Sequence, residues 1–292
     1  MRSLLFVPGD SPDKMEKAIG CGADAVIIDL EDAVAPAHKA SARRQTADFL
    51  KSFDALQGPK LYVRVNDMSS NLVDNDLVAT VAPCLSGFML PKARSGEDVR
   101  TLARMLDGAE AQKDLEPGAL SIVVIATETP AAVLDMGSFA NCGDRLEGLS
   151  WGAEDLSAAI GATANRDDKN AYTPPFELAR SLCLLAAAAA GVQAIDTVYT
   201  QFRDLDGLAL DCQLAARDGF TGKMAIHPAQ IPVINDAFTP SKAQVDEARQ
   251  VQAAFEAEPN AGVVSLDGRM VDRPHLKIAT RILERARLAG LD

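Results

Sequence analysis

The chemistry this chain offers lies in charged side chains that directly follow short apolar runs. Asp29-Leu30-Glu31-Asp32, Arg64-Val65-Asn66, Leu90-Pro91-Lys92, Thr127-Glu128-Thr129-Pro130 and Gly152-Ala153-Glu154-Asp155 are placed in this way. If the runs are parallel strands, Asp29, Glu31, Asp32, Glu128 and Asp155 converge on one edge. Carboxylates gathered away from water repel one another unless a cation compensates. Arg64 and Lys92 supply two positive charges at most. A hard divalent cation with oxygen ligands supplies the rest. Mg²⁺ takes one or two protein carboxylates and keeps positions for water and substrate. Glu128 and Asp155, after neighbouring runs, form the natural pair.

A structural reading stands beside each of these. Asp32, Asp155 and Glu128 each stand near an expected helix start, where an acid is ordinary. Arg64 sits in the apolar stretch Leu61-Tyr62-Val63-Arg64-Val65, so it needs a partner. That partner is Asp29 or Glu31, or else a substrate carboxylate gripped by the planar fork. His227 before Pro228 is either a candidate base or a histidine held by its neighbours. His38 and His275 read as surface residues. Pro8-Gly9-Asp10-Ser11-Pro12 is a turn into a helix whose start could take a phosphate, with Ser11 as an N-cap. No GxSxG, HExxH or Walker A motif occurs.

The elements that must position these residues alternate. Eight short runs are expected as strands: Leu4–Val7, Ala25–Leu30, Leu61–Val65, Gly87–Leu90, Ile122–Ala126, Leu146–Trp151, Ala194–Tyr199 and Lys223–Ile226. Amphipathic stretches such as Lys39–Leu56, Asp98–Gln112 and Phe176–Ala190 lie between them. Strand–helix repetition with apolar strands implies a parallel sheet covered on both faces. Eight such units predict an α/β fold, a (β/α)8 TIM barrel, with a doubly wound open sheet as the alternative. Active sites of such barrels lie at the C-terminal ends of the strands, where the polar residues fall. Leu182–Val192 reads as a buried helix ending at Gly191.

The barrel is expected over residues 1–238, with 239–292 as a further C-terminal element. Ser241–Ala257 is a charged helix with Ser241 as N-cap, Val263–Leu266 a short strand, Asp267-Gly268 a tight turn and Pro274–Leu288 a last helix. This tail is a cap on the barrel, a lid, or an arm that packs on a neighbouring subunit.

Composition narrows the function classes. The 292 residues are 48% apolar and carry a net charge of −12, which weighs against phosphate-backbone binding; no nucleic-acid partner is expected. No apolar stretch reaches the length of a membrane span, so no membrane partner is expected either. Five scattered cysteines without CxxC spacing argue against a disulfide framework and a zinc site, and the expected setting is reduced and cytoplasmic.

Several of these motifs occur together and in order. They are Arg2-Ser3-Leu4-Leu5-Phe6-Val7-Pro8-Gly9, Asp29-Leu30-Glu31-Asp32-Ala33-Val34, Arg64-Val65-Asn66, Leu90-Pro91-Lys92, Glu128-Thr129-Pro130, Gly152-Ala153-Glu154-Asp155-Leu156 and Asp267-Gly268-Arg269-Met270-Val271-Asp272. In this the chain resembles, nearly end to end, the citrate lyase beta subunit family, which includes malyl-CoA and citramalyl-CoA lyases. The resemblance implies a (β/α)8 barrel, Mg²⁺, and cleavage or formation of a C–C bond in a 3-hydroxyacyl-CoA. It also implies a homotrimer or hexamer, with a CoA thioester and a 2-keto acid such as glyoxylate or pyruvate as reaction partners.

Position by position, Glu128 and Asp155 match the family's metal ligands. Arg64 matches the arginine that holds the substrate carboxylate, and Asp272 an acid of the C-terminal lid; these two are the catalytic assignments. Glu31 and Lys92, with Glu128, complete the substrate-binding set, and Asp29 supports it. Basic residues such as Lys14 and Arg43 are placed to meet CoA phosphates. Ala225-Ile226-His227-Pro228 and Tyr172-Thr173-Pro174-Pro175-Phe176-Glu177 resemble the branch acting on free CoA, which holds lyases and a (3S)-malyl-CoA thioesterase. The alternatives kept open are that thioesterase, a carrier-dependent citrate lyase beta subunit, a non-catalytic partner subunit, and an aldolase acting on free pyruvate.

Overall fold

Strands that are apolar on both faces must be covered inside and out. The computed structural model, which describes residues 1–53 and 58–291, achieves this by closing eight of them into a barrel. The chain runs β1 (Ser3–Pro8), α1 (Pro12–Ile19), β2 (Ala25–Asp29), α2 (Lys39–Ser52), β3 (Lys60–Arg64), α3 (Val73–Thr80), β4 (Gly87–Leu90) and α4 (Gly96–Gln112). It continues with β5 (Ser121–Ile125), α5 (Pro130–Leu134), β6 (Leu146–Ser150), α6 (Ala153–Ile160), α7 (Pro174–Ala190), β7 (Gln193–Asp196), α8 (Leu205–Asp218), β8 (Gly222–Ala225) and α9 (Ile231–Phe238). Neighbouring strands are parallel, and β1 pairs with both β2 and β8, which replaces the open-sheet alternative. The expected stretch Lys39–Leu56 forms α2 as far as Ser52; Leu56 lies outside the described residues.

Inside the barrel, Leu4, Ala25, Ile27, Tyr62, Met89, Val123, Ile125, Ile195 and Met224 pack as one cluster. Below them, Glu147 accepts from Tyr62 Oη, Ser121 Oγ and Lys60 Nζ, and Gln193 Nε2 donates to the Met1 carbonyl. These contacts tie the N-terminal ends of β1, β3, β5, β6 and β7 together at the barrel floor.

Two local readings need correction. The Leu182–Val192 stretch is not buried all round. α7 buries Phe176, Ala179, Cys183, Ala186 and Ala187 against the barrel but leaves Leu185 65% and Leu178 56% exposed, because a helix on a barrel buries one face. Ser11 stands at the N-cap position of α1, yet its hydroxyl donates to Asp10 and makes no cap bond.

Contacts divide the chain into two compact units, Met1–Asn235 and Asp236–Asp292. The second unit contains α10 (Lys242–Ala257), β9 (Val263–Leu266), β10 (Arg269–Asp272) and α11 (Arg273–Leu288). Ser241 caps α10 with a reciprocal Gln244 bond. β9 and β10 form an antiparallel hairpin through Asp267 and Gly268, both at positive φ (50° and 75°), as a tight hairpin turn requires. Sequence reading stopped at that turn and missed β10. Ala248, Val251, Phe255, Val264, Val271 and Ala279 make this unit's own core.

A buried ion pair outside the barrel gives a stability test. Glu110 of α4 accepts from Arg145 Nη1 and Nη2 (2.7 and 2.6 Å) and from the Gly118 and Leu120 amides (both 2.9 Å). Burial alone would raise the Glu110 pKa, but these bonds outweigh it and hold the carboxyl below its ordinary value. A depressed carboxylate contributes stability above its unfolded pKa of about 4.3 and loses it as pH falls through the folded value. Glu110→Gln is expected to destabilise the unit by about 2 kcal/mol at pH 7, since Arg145 loses its buried carboxylate partner and keeps Asp107 and the Leu120 carbonyl. Thermal melts between pH 7 and pH 3 should show the variant's deficit shrinking on acidification; a deficit constant across that range would remove Glu110 from the account.

Candidate active site

The C-terminal ends of β2 to β6 bring the expected charges into one connected network. Asp29 closes β2 and accepts from the Arg64 fork at the end of β3: Nε donates to Oδ1 at 2.8 Å and Nη2 to Oδ2 at 2.5 Å. Arg64 Nη1 lies 3.2 Å from Glu31, and the guanidinium sits 4.8 Å from the Phe6 ring centroid. Sequence left the partner of Arg64 open. In the folded chain Asp29 takes the bidentate face, and of the five N–H groups two remain beyond these contacts. Asp29 also accepts from the Glu31 and Ala33 amides, which fixes the turn that carries Glu31.

Lys92 is the hub. Its ammonium meets Glu31, Asp32 (2.8 Å) and Asp155 (3.2 Å), while its own amide donates to Glu128. Burial opposes the charged ammonium, but Asp32 and Glu31 outweigh it and raise its pKa. Lys92 adopts φ = 50°, a left-handed backbone that costs a non-glycine residue on the order of 1–3 kcal/mol. That conformation lets one residue serve Glu128 with its backbone and three acids with its side chain. Asp32 thus belongs to the Lys92 cluster and caps no helix.

Glu128 is 3% exposed, and no cationic side chain pairs with it among the described residues. Burial, then repulsion from Asp155, pushes its pKa up to about 8. The next residue, Thr129, caps α5, so the cap belongs to Thr129 and Glu128 stays free of it. Asp155 stands in the first turn of α6. Gly152 lets these two approach: a Cβ there would lie 2.6 Å from Glu128 Cγ and 3.3 Å from Ile125 Cγ2. Its amide donates to Thr127 Oγ1 at 3.2 Å. Glu31 is also raised, first by burial, with Arg64 and Lys92 opposing.

Other expected residues fall elsewhere. His227 Nδ1 accepts from the Ala229 amide at 3.1 Å and its ring stacks on Phe202 at 5.0 Å, so it is an exposed turn-capping residue after β8. His38 is exposed, 3.7 Å from Asp10. Arg43 is committed to the buried Asp76, which also accepts from Asn66. Asp272 lies in the second unit, where it caps α11 and meets His275 Nδ1. Sequence reading missed Gly152, Phe6 and Lys39, whose ammonium donates to the Leu30 and Glu31 carbonyls at 2.8 and 2.7 Å. Gly152 carried a signal, being a glycine directly between an apolar run and an acidic helix start.

A closed parallel barrel with buried acids and two cations at the C-terminal ends of its strands defines a TIM-barrel enzyme class. Residues 2–228 match the description HpcH/HpaI aldolase/citrate lyase, and the chain belongs to that family. It is 36% identical over 287 residues to a (3S)-malyl-CoA thioesterase of Cereibacter sphaeroides, covering 98% of this chain and 94% of the relative. It is 35% identical to the mitochondrial citramalyl-CoA lyase of Rattus norvegicus, covering 97% and 85%. Among solved structures, protein CitE from Mycobacterium tuberculosis in complex with magnesium, acetoacetate and coenzyme A aligns with a TM-score of 0.78 and 33% identity, over 98% of both chains.

Proposed function

We propose that this chain is a Mg²⁺-dependent CoA-ester lyase that cleaves, or in reverse forms, the C–C bond of a 3-hydroxyacyl-CoA such as (3S)-malyl-CoA or citramalyl-CoA. The observation that carries this is Glu128: a buried carboxylate, facing Asp155 and without a cationic side chain of its own. The proposed donors are two carboxylates, Glu128 and Asp155. That matches a cation that takes few protein ligands and leaves room for substrate oxygens. The relatives support the same class, since one is a lyase of a CoA ester and the CitE structure holds magnesium and coenzyme A.

In this reading Glu128 and Asp155 would hold the ion, and it would supply Lewis acidity toward the hydroxyl oxygen that becomes the carbonyl oxygen of the keto acid. The remaining N–H groups of Arg64, with Lys92 beside Glu31, orient the substrate carboxylate. A base takes the hydroxyl proton, the oxygen's electron pair forms the C=O of the keto acid, the C–C electron pair passes to the α-carbon of the thioester as its enolate, and that carbon takes up a proton. Products are acetyl-CoA and glyoxylate, or pyruvate from the citramalyl ester. Asp272 is assigned to close the site and exchange the proton at the acetyl carbon. The 239–292 segment is read as an arm of a homotrimer or hexamer that packs on a neighbouring subunit, in a reduced cytoplasmic setting.

The test is to incubate the protein with (3S)-malyl-CoA and MgCl₂, with an EDTA control, and identify products by mass spectrometry. Acetyl-CoA plus glyoxylate is the expected result. Free CoA plus malate would replace the lyase by a thioesterase on the same site, a reading favoured by the relative of that name. No EDTA-sensitive turnover, either there or with citramalyl-CoA in its place, would leave a carrier-dependent or non-catalytic subunit.

Asp272→Asn isolates the lid assignment, because asparagine caps a helix about as well as aspartate and α11 keeps its start. Turnover is expected to fall by on the order of 10²-fold, the size of a lost proton-transfer group, with Mg²⁺ affinity unchanged. Loss of Mg²⁺ binding in calorimetry would sink the lid role.

A further inference from the structure

The sole tryptophan of the chain stands one residue before Gly152 and belongs to a closed ring of side chains that the proposed reaction does not use. Trp151 Nε1 donates to Asp196 Oδ1 at 2.7 Å. Lys223 Nζ, on β8 and 0% exposed, donates to Asp196 Oδ2 at 2.6 Å and to Asp211 Oδ2 of α8 at 2.7 Å. Arg166 Nη2 donates to Asp211 Oδ1 at 2.9 Å, and its guanidinium lies 3.7 Å from the Tyr172 ring centroid. Tyr172 meets Trp151 edge-on, with centroids 4.8 Å apart and planes at 70°, which closes the ring.

Within the ring Lys223 and Arg166 stand against Asp196 and Asp211, and Arg180, 3.7 Å from Asp196, is balanced by Asp218 at 2.7 Å. Buried ion networks of this kind are often replaceable by apolar side chains without loss of stability. What apolar packing does not supply is direction, and the ring is directed at one place. It fixes the indole, and the next residue is Gly152, on whose bare Cα face Glu128 Cγ rests. Three residues further is Asp155. The following helix is held from its other side, since Glu154 Oε1 accepts from Asn165 Nδ2 at 2.8 Å, next to Arg166. The turn bearing Asp155 is therefore held on one side by the ring through Trp151 and on the other by the separate Glu154–Asn165 bond.

We propose that the ring Trp151–Asp196–Lys223–Asp211–Arg166–Tyr172 positions Asp155 against Glu128 and thereby selects a small divalent cation over a larger one. The inference rests on the assignment of Glu128 and Asp155 as metal ligands. Mg²⁺ demands short bonds in near-ideal octahedral geometry, whereas Ca²⁺ accepts longer ones in flexible arrangements. A firmly held carboxylate pair favours the first; a loosened pair loses that advantage. Trp151 and Lys223 are positioning residues, since they touch neither ion nor substrate.

The experiment is calorimetric titration of the full chain with MgCl₂ and, separately, CaCl₂, for wild type, Trp151→Phe and Asp211→Asn. Phenylalanine keeps the buried aromatic and removes the indole donor; Asp211→Asn breaks the ring two links further out. Mg²⁺ affinity is expected to fall about 10–100-fold in Trp151→Phe, as for lost supports of metal ligands, and less in Asp211→Asn. Ca²⁺ affinity should change little, so the Mg²⁺/Ca²⁺ preference collapses while circular dichroism stays that of the wild type. A ring that only stabilises the fold would lower the melting temperature and leave that preference alone. Folded variants with the wild-type preference overturn the inference and leave the metal assignment standing. If Trp151→Phe does not fold, Asp211→Asn decides by the same ratio. A wild type that binds neither cation overturns the metal assignment and this inference together.

Discussion

Glu128→Gln is expected to lower EDTA-sensitive turnover by on the order of 10³-fold while raising the thermal stability of the metal-free protein. The two effects share one cause. Glu128 is a buried carboxyl beside Asp155, and burial and that repulsion both disfavour its charge. Glutamine keeps the shape and can still accept from the Lys92 amide, but it carries no charge to repel Asp155. The strain that glutamine relieves is the strain a divalent cation is proposed to relieve in the working enzyme. Melting curves in EDTA and in MgCl₂ separate the two: added Mg²⁺ should stabilise the wild type and not the variant. A variant that keeps near-full, Mg²⁺-dependent activity would remove Glu128 from the site.

Gly152→Ala is expected to be nearly as damaging, through a single methyl group. Its backbone, at φ = −120°, suits alanine, so no conformational penalty arises. The cost is steric. The new Cβ would lie 2.6 Å from Glu128 Cγ, closer than carbon atoms approach, and a tight 3.3 Å from Ile125 Cγ2. Ile125 belongs to the packed interior and cannot retreat, so Glu128 must. Mg²⁺ affinity should drop by about 10–100-fold, the scale of lost outer support, with turnover falling alongside it. Calorimetry and an initial-rate assay on the folded variant check both; unchanged Mg²⁺ affinity would mean Glu128 is not held against Gly152 in solution.

The strands and their polar ends were legible because parallel barrels write themselves in period: an apolar run, then charge, then a helix. Asp29, Glu31, Lys92, Glu128 and Asp155 were all found at those ends. The partner of Arg64 was not, because sequence does not show that Asp29 stands beside it in register. Lys223 lies in an apolar run that read as plain strand, and nothing in the run tells which face of β8 it occupies. Its partners Asp196 and Asp211 come from β7 and α8, and only closure of the barrel brings them together. Lys92 read as one more cation; its left-handed backbone, which turns its amide to Glu128, has no signature in residue type. β10 was missed because its four residues, Arg269–Asp272, are too short to show alternation without their partner strand.

The barrel floor, sealed by Tyr62 and Glu147 beneath a filled interior, makes this a vessel with one door. Among the described residues, the packed interior leaves the strand ends that carry the charges as the way to the chemistry. On the proposed lyase reading, keto acid and thioester then share one mouth for entry and departure.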